Sequence, residues 1–178
     1  MSLIGVSIAI PEPYAAQLQD RRASYGDPLA ASIPTHVTLL PPTEVAPGGL
    51  ARVAGHLRRV ASGHRPFSMR LAGTGTFRPV SPVVFVQITE GAVECAKLQD
   101  DVRSGPLDRE LDFEYHPHVT VAHDVSEQAM DQAMAELADY ACTFDVDGFH
   151  LYEHGPDAVW RTVEKFLFRP VSRGEVGR

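Results

Sequence analysis

Two short segments repeat residue types capable of acid–base chemistry: His36-Val37-Thr38-Leu39-Leu40 and His118-Val119-Thr120-Val121-Ala122. With eight histidines and nine threonines in 178 residues, His-x-Thr is expected about 0.4 times by chance. Requiring Val in the middle and two apolar residues afterwards lowers the expectation to roughly 0.01. On a strand, His36 and Thr38 share one face and Val37 and Leu39 the other, and the second copy repeats this. Each polar face sets an imidazole beside a hydroxyl, with Cα atoms roughly 7 Å apart. If a pseudo-two-fold relates the copies, two imidazoles and two hydroxyls confront each other across a cleft.

Such a set suits phosphodiester chemistry without a metal. In-line displacement at phosphorus needs a base for the nucleophile and an acid for the leaving oxygen, and histidine populates both forms near neutrality. Threonine hydroxyls can donate to the non-bridging oxygens, where charge must be held. His116, His118 and His123 also read as H-x-H-x4-H, a pattern that could chelate zinc. Pro117 within it and the absence of ordered carboxylates nearby make this the weaker reading, so no metal and no cofactor are expected.

The elements that must position these groups follow from apolar periodicity. Leu3–Ile10 reads as a buried strand, Glu12–Ser24 as a helix with Tyr14, Leu18 and Arg22 along one side, and His36–Leu40 as a short strand ended by Pro41-Pro42. Leu50–Ala61 is helical, and Phe67, Met69 and Leu71 alternate in a strand running towards Phe77. The order then repeats: strand Val83–Thr89, helix Val93–Arg103, strand His118–Ala122, helix Ser126–Tyr140 with Ser126 as N-cap. A strand over Phe144–Tyr152 with a bulge near Gly148, a last strand over Val159–Phe168 and a tail at 169–178 complete the chain. Each half reads βαβαβ. No low-complexity linker intervenes, so we expect one domain over 1–178 with repeats of about 1–80 and 81–168.

Composition bounds the partners. The chain is 44% apolar and 22% charged, with formal charge −7, which argues against disorder and against coating nucleic acid by charge alone. The charge is uneven: eight Lys/Arg against four Asp/Glu up to Thr89 (+4), then eight against nineteen (−11). Two cysteines are too few for a disulfide framework, and the N-terminal apolar run lacks a basic flank and is too short to span a bilayer. A cytoplasmic protein with no membrane association is expected. Fourteen of the sixteen basic residues are Arg and Asn is absent, a composition typical of GC-rich bacterial genomes.

The paired His-Val-Thr-apolar segments resemble the doubled motif of the 2H phosphoesterase superfamily, and within it the bacterial 2′-5′ RNA ligase/RNA cyclic phosphodiesterase branch. Gly75-Thr76-Phe77, with Pro79, Pro82 and the strand Val83–Ile88, is similar to the segment entering the second lobe there. The resemblance spans about residues 1–168. It implies an α+β, bilobal fold with βαβαβ-like lobes and antiparallel-rich sheets flanking a central cleft. It also implies metal-independent cleavage of cyclic phosphodiesters such as 2′,3′-cyclic phosphates, or reversible 2′-5′ ligation, at the 2′ and 3′ oxygens of ribose. His36, Thr38, His118 and Thr120 become the catalytic candidates, with His118 as base and His36 as acid. That branch often places Arg three residues after the second Thr, where this chain has His123.

His123, Tyr152, Arg78 and Phe77 are the candidate substrate-binding residues. Arg70 is a further cation in the same half as the first motif. His56 and His64 read as solvated, and aromatic residues such as Phe77, Tyr115, Phe149 and Tyr152 are more often core than base-stacking platforms. The expected partner is a small nucleotide or RNA end carrying a cyclic phosphate or 2′-5′ linkage, and no stable protein partner is implied. The competing readings are a cleft that binds nucleotide or RNA ends without turnover and a metal-dependent hydrolase.

Overall fold

The computed structural model describes residues 1–172; of the expected tail, 173–178 lie outside the described residues. The elements run β1 (Ser2–Ala9), α1 (Tyr14–Ser24), β2 (His36–Val45), α2 (Leu50–Ser62), β3 (Phe67–Thr76), β4 (Val83–Glu90), α3 (Ala92–Val102), β5 (His118–His123), α4 (Glu127–Glu136), β6 (Ala141–Val146), β7 (Gly148–His154) and β8 (Trp160–Leu167). They form two four-stranded sheets, ordered β2-β1-β7-β8 and β5-β4-β3-β6, with every pairing antiparallel. The α+β class and the antiparallel sheets expected from the resemblance are present.

The sheets do not follow the sequence halves. β3, from the first half, pairs with β4 and β6, whereas β7 crosses to pair with β1. The helices interlock the halves as well: α1, which precedes β2 in the chain, packs on β5, and α3, which precedes β5, packs on β2. Each motif strand is therefore backed by a helix from the other half. One continuous core unites both sheets, including Ile4, Leu39, Leu57, Leu71, Leu98, Val121 and Leu151.

The structure departs from the sequence reading at four places. β2 runs on through Pro41-Pro42 because it is an edge strand: the register skips from Leu40 opposite Val6 to Thr43 opposite Ile4, so the missing proline N–H groups cost no ladder bond. The break at Gly148 is not a bulge within one strand. It separates β6 from β7, which belong to different sheets. α4 ends at Glu136 rather than Tyr140, while Ser126 does cap it, its Oγ accepting from the Ala129 N–H at 3.1 Å. His56, read as solvated, is buried with Nε2 3.1 Å from the Val102 carbonyl.

Two glycines test this packing. A Cβ on Gly148 would run into the Phe166 carbonyl oxygen at the crossover, so Gly148→Ala should destabilise by roughly 1–3 kcal/mol. Gly55, inside α2, has only the flexible Arg59 Nη1 nearby at 3.8 Å. Gly55→Ala should stabilise by about 0.5–1 kcal/mol. Denaturant midpoints of the two variants check both signs.

Candidate active site

β2 and β5 are the edge strands of their sheets and pack against each other. The two motifs repeat one burial pattern, half-buried His, buried apolar, half-buried Thr, then two buried apolar residues. Val37, Leu39, Val119 and Val121 point into the core, which leaves both His-Thr faces to the cleft. The alternation expected from sequence is thus the feature that orients the site.

The imidazoles are held alike. His36 Nδ1 lies 2.6 Å from the Pro34 carbonyl oxygen, and His118 Nδ1 lies 2.7 Å from that of His116. A carbonyl only accepts, so each Nδ1 carries the proton and donates it, leaving Nε2 as the free basic nitrogen of the neutral ring. Among the described residues neither the Thr38 nor the Thr120 hydroxyl bonds to protein, so both remain available to a ligand.

Two cavities adjoin these strands and share Thr38. The larger, about 320 Å³, is lined by His36, Thr38, Thr120 and His123, with apolar walls from Leu29, Ile33, Leu40, Tyr152 and Trp160. Trp160 lies over β1 at Gly5, where a Cβ would stand 3.4 Å from the indole, in van der Waals contact. The smaller, about 210 Å³, is lined by Phe77, Tyr115, His116 and His118. Phe77 meets His118 edge-on at 4.9 Å and 90°, and Phe85 packs at 5.3 Å. Gly75 makes room for the Phe85 ring, which a side chain there would strike. The Tyr115 hydroxyl donates to the Thr38 carbonyl at 2.8 Å and ties the 108–117 segment to β2.

Burial sets the proton affinities. Desolvation, with the charges of Arg22 and His118 adding to it, pushes His36 down to about 4 against the opposing bond to Pro34. Desolvation also lowers His118.

Of the residues singled out in the sequence, His36, Thr38, Thr120, His123 and Tyr152 meet in the larger cavity, and His118 and Phe77 in the smaller. Arg78 is not with them. Its guanidinium bonds to Glu127 at 2.8 Å and Asp131 at 3.0 Å on α4, so the acidic helix claims it. Arg70 reaches Thr143 on β6. His150 packs against Tyr152 at 5.8 Å with the rings tilted by 39°, and lines neither cavity. His116 and His118 stand 6.2 Å apart, ring centre to ring centre. Among the described residues no three His, Cys, Asp or Glu side chains are grouped as metal ligands would be.

Sequence reasoning did not place Trp160, Ser7, Arg22 or Asp27 at the site. The signals were present: Gly5 interrupts an apolar strand, which marks a close approach, and Arg22 continues the apolar stripe of Tyr14 and Leu18. Arg22 is buried and bonds Asp27 at 2.7 Å through Nε. Asp27 also accepts from the Leu29 N–H at 2.9 Å and the His123 N–H at 3.0 Å.

An α+β frame that pairs two His-x-Thr strands at a cleft defines a class, and comparison with known proteins gives it a family. The profile of the 2′-5′ RNA ligase superfamily matches residues 10–158. The chain belongs to this superfamily of 2H phosphoesterases. It is 30% identical over 156 residues, covering 85% of this chain and 92% of the other, to a Bacillus licheniformis protein whose name assigns it provisionally to the phosphoesterases. A similarly named protein of Bacillus cytotoxicus is 28% identical over 142 residues, covering 79% of this chain and 82% of the other. Among solved structures, Escherichia coli LigT complexed with 3′-AMP shares the fold, with a TM-score of 0.63 at 19% identity, over 94% of this chain and 98% of that one. Among the described residues no helix is long and apolar enough to cross a membrane.

The folded His36 pKa lies below its ordinary value of 6.5, so the unfolded chain binds more protons between about pH 6.5 and 4. Its contribution to stability is therefore present above pH 6.5 and is lost as the pH falls towards 4. An NMR titration should find the His36 ring neutral at pH 5.5 with a midpoint near 4, and the His118 midpoint below 6.5. A His36 midpoint at or above 6.5 contradicts the burial described.

Proposed function

We propose that this protein opens cyclic phosphodiesters, namely the 2′,3′-cyclic phosphates of RNA ends or nucleotides, without a metal, with reversible 2′-5′ ligation as the same chemistry run on two RNA ends. The observation that carries the reading is the duplicated imidazole, in one tautomer, beside a free threonine hydroxyl on facing edge strands. Membership of a phosphoesterase superfamily supports it. So do the structures of E. coli LigT with 3′-AMP, ATP and NADP+, all nucleotides. The apolar walls at Tyr152 and Trp160 suit the flat face of a base.

In the proposed step, His118 Nε2 takes a proton from water as its oxygen bonds to phosphorus. The bond from phosphorus to the ribose oxygen breaks on the opposite side, and protonated His36 Nε2 gives that oxygen its proton. The Thr38 and Thr120 hydroxyls donate to the non-bridging oxygens. The product is a ribose monophosphate, with the two imidazoles left in exchanged protonation states. An anionic phosphate between the rings favours the charged form of the acid, offsetting the desolvation that keeps both rings neutral in the free protein.

The test is hydrolysis of nucleoside 2′,3′-cyclic phosphates with EDTA present. His36→Ala and His118→Ala should each lower kcat/KM by roughly 10²–10⁴-fold. Retained activity in either variant would falsify the two-histidine mechanism. Saturable nucleotide binding with no product would instead identify a binding module. Because kcat/KM reports the free protein, in which both rings are shifted downward, its bell-shaped pH profile should peak below pH 6.5. The kcat profile should lie at higher pH. A kcat/KM optimum at pH 8 contradicts this.

A further inference from the structure

We propose that Arg22 is the anion-holding group of this cleft: its guanidinium, fixed by Asp27, takes a non-bridging oxygen of the substrate phosphate. The proposal rests on the phosphodiester reading above and names the group that meets the phosphate's charge.

Arg22 sits on the face of α1 that packs inward and is only 4% exposed. A guanidinium carries five donors in a rigid fork. Among the described residues, the side chain uses Nε alone, towards Asp27 Oδ2. By contrast, Arg21, Arg58, Arg78 and Arg161 spend Nη groups on carboxylates: Arg21 on Glu136, Arg58 on Glu164, Arg78 on Glu127 and Asp131, and Arg161 on Asp157. The Arg22 Nη groups are not sealed in the core either. The side-chain polar atom that is both fully enclosed and unpartnered among the described residues is His150 Nδ1, and Arg22 lines the larger cavity beside His36, Thr38 and Thr120. A buried cation whose donors open onto the cavity that holds the His36 imidazole and the Thr38 and Thr120 hydroxyls is arranged for an oxyanion.

Asp27 makes the arrangement rigid. Its side chain is wholly buried, and its two oxygens accept from Arg22 Nε, the Leu29 N–H and the His123 N–H. These bonds tie α1 to the end of β5, so the guanidinium is held relative to Thr120 as well as to His36. Its charge already reaches His36, whose proton affinity it lowers. The side chain at 123 cannot do the same work as freely, because its ring lies 3.3 Å from Asp124. A fork held in this way suits the paired oxygens of a phosphate.

The test compares ligands that differ only by the phosphate. Calorimetry should find that the wild-type chain binds 2′-AMP more tightly than adenosine. Arg22→Gln should weaken 2′-AMP by roughly 10- to 100-fold and leave adenosine unchanged. Because Arg22→Gln leaves the Asp27 charge buried and alone, the double variant Arg22→Met/Asp27→Asn removes both charges together. It should keep a cooperative melt and lose the same phosphate-dependent margin. A folded variant that binds 2′-AMP like the wild type, or one that loses adenosine and 2′-AMP in equal proportion, overturns the assignment. So does a wild-type chain that binds neither 2′-AMP nor inorganic phosphate. Arg22-dependent binding of 2′-AMP without turnover of any cyclic phosphate would sink the catalytic reading and leave the Arg22 assignment standing.

Discussion

The arrangement of this cleft depends on a hydrogen bond made twice, from a histidine Nδ1 to the carbonyl two residues earlier in the chain. At Pro34 and at His116 the carbonyl fixes the tautomer and the ring plane together, so that Nε2 is the nitrogen offered to a ligand. A freely rotating imidazole would divide its time between tautomers and would not hold one nitrogen towards the cleft. The bond is short, local and built into the approach to each strand.

Bringing the two motif strands together is a problem of topology. An edge strand leaves one side unpaired, and each sheet places its motif strand there. The helices resolve what the sheets leave open: α1 backs β5 and α3 backs β2, so each half of the chain supports the other half's histidine. Desolvation follows from the same packing. The apolar rings of Phe77 and Phe85 pack beside His118, and desolvation lowers the proton affinities of both His118 and His36. The apolar frame orients the imidazoles and also favours their neutral forms until an anion arrives.

Much of this was legible in the sequence. The period-two alternation of His-Val-Thr-apolar gave the facing of both motif strands, and the repeated spacing gave the order of elements. What was hidden depended on neighbours far along the chain. Pro41-Pro42 read as a stop because the sequence does not say that β2 is an edge. Gly148 read as a bulge because the alternation breaks there, from Phe144 and Val146 to Phe149 and Leu151, and a shift of phase looks the same for a bulge as for a change of sheet. Arg78 read as a free cation until α4 brought Glu127 and Asp131 to it. Arg22 read as one more residue on a helix face, since only the folded chain brings Asp27 and the His123 backbone around it. The acidic excess of the second half acquires a role from these pairings: part of it neutralises arginines of the first half outside the cleft.

The central claim is that His36 and His118 address one phosphorus from opposite sides. It is tested most directly by a crystal structure with a nucleoside 2′-monophosphate bound. The account predicts both Nε2 atoms within about 2.6–3.2 Å of oxygens on the same phosphorus, with the Thr38 and Thr120 hydroxyls on its remaining oxygens. A phosphate held by one histidine alone, or seated away from both, contradicts it.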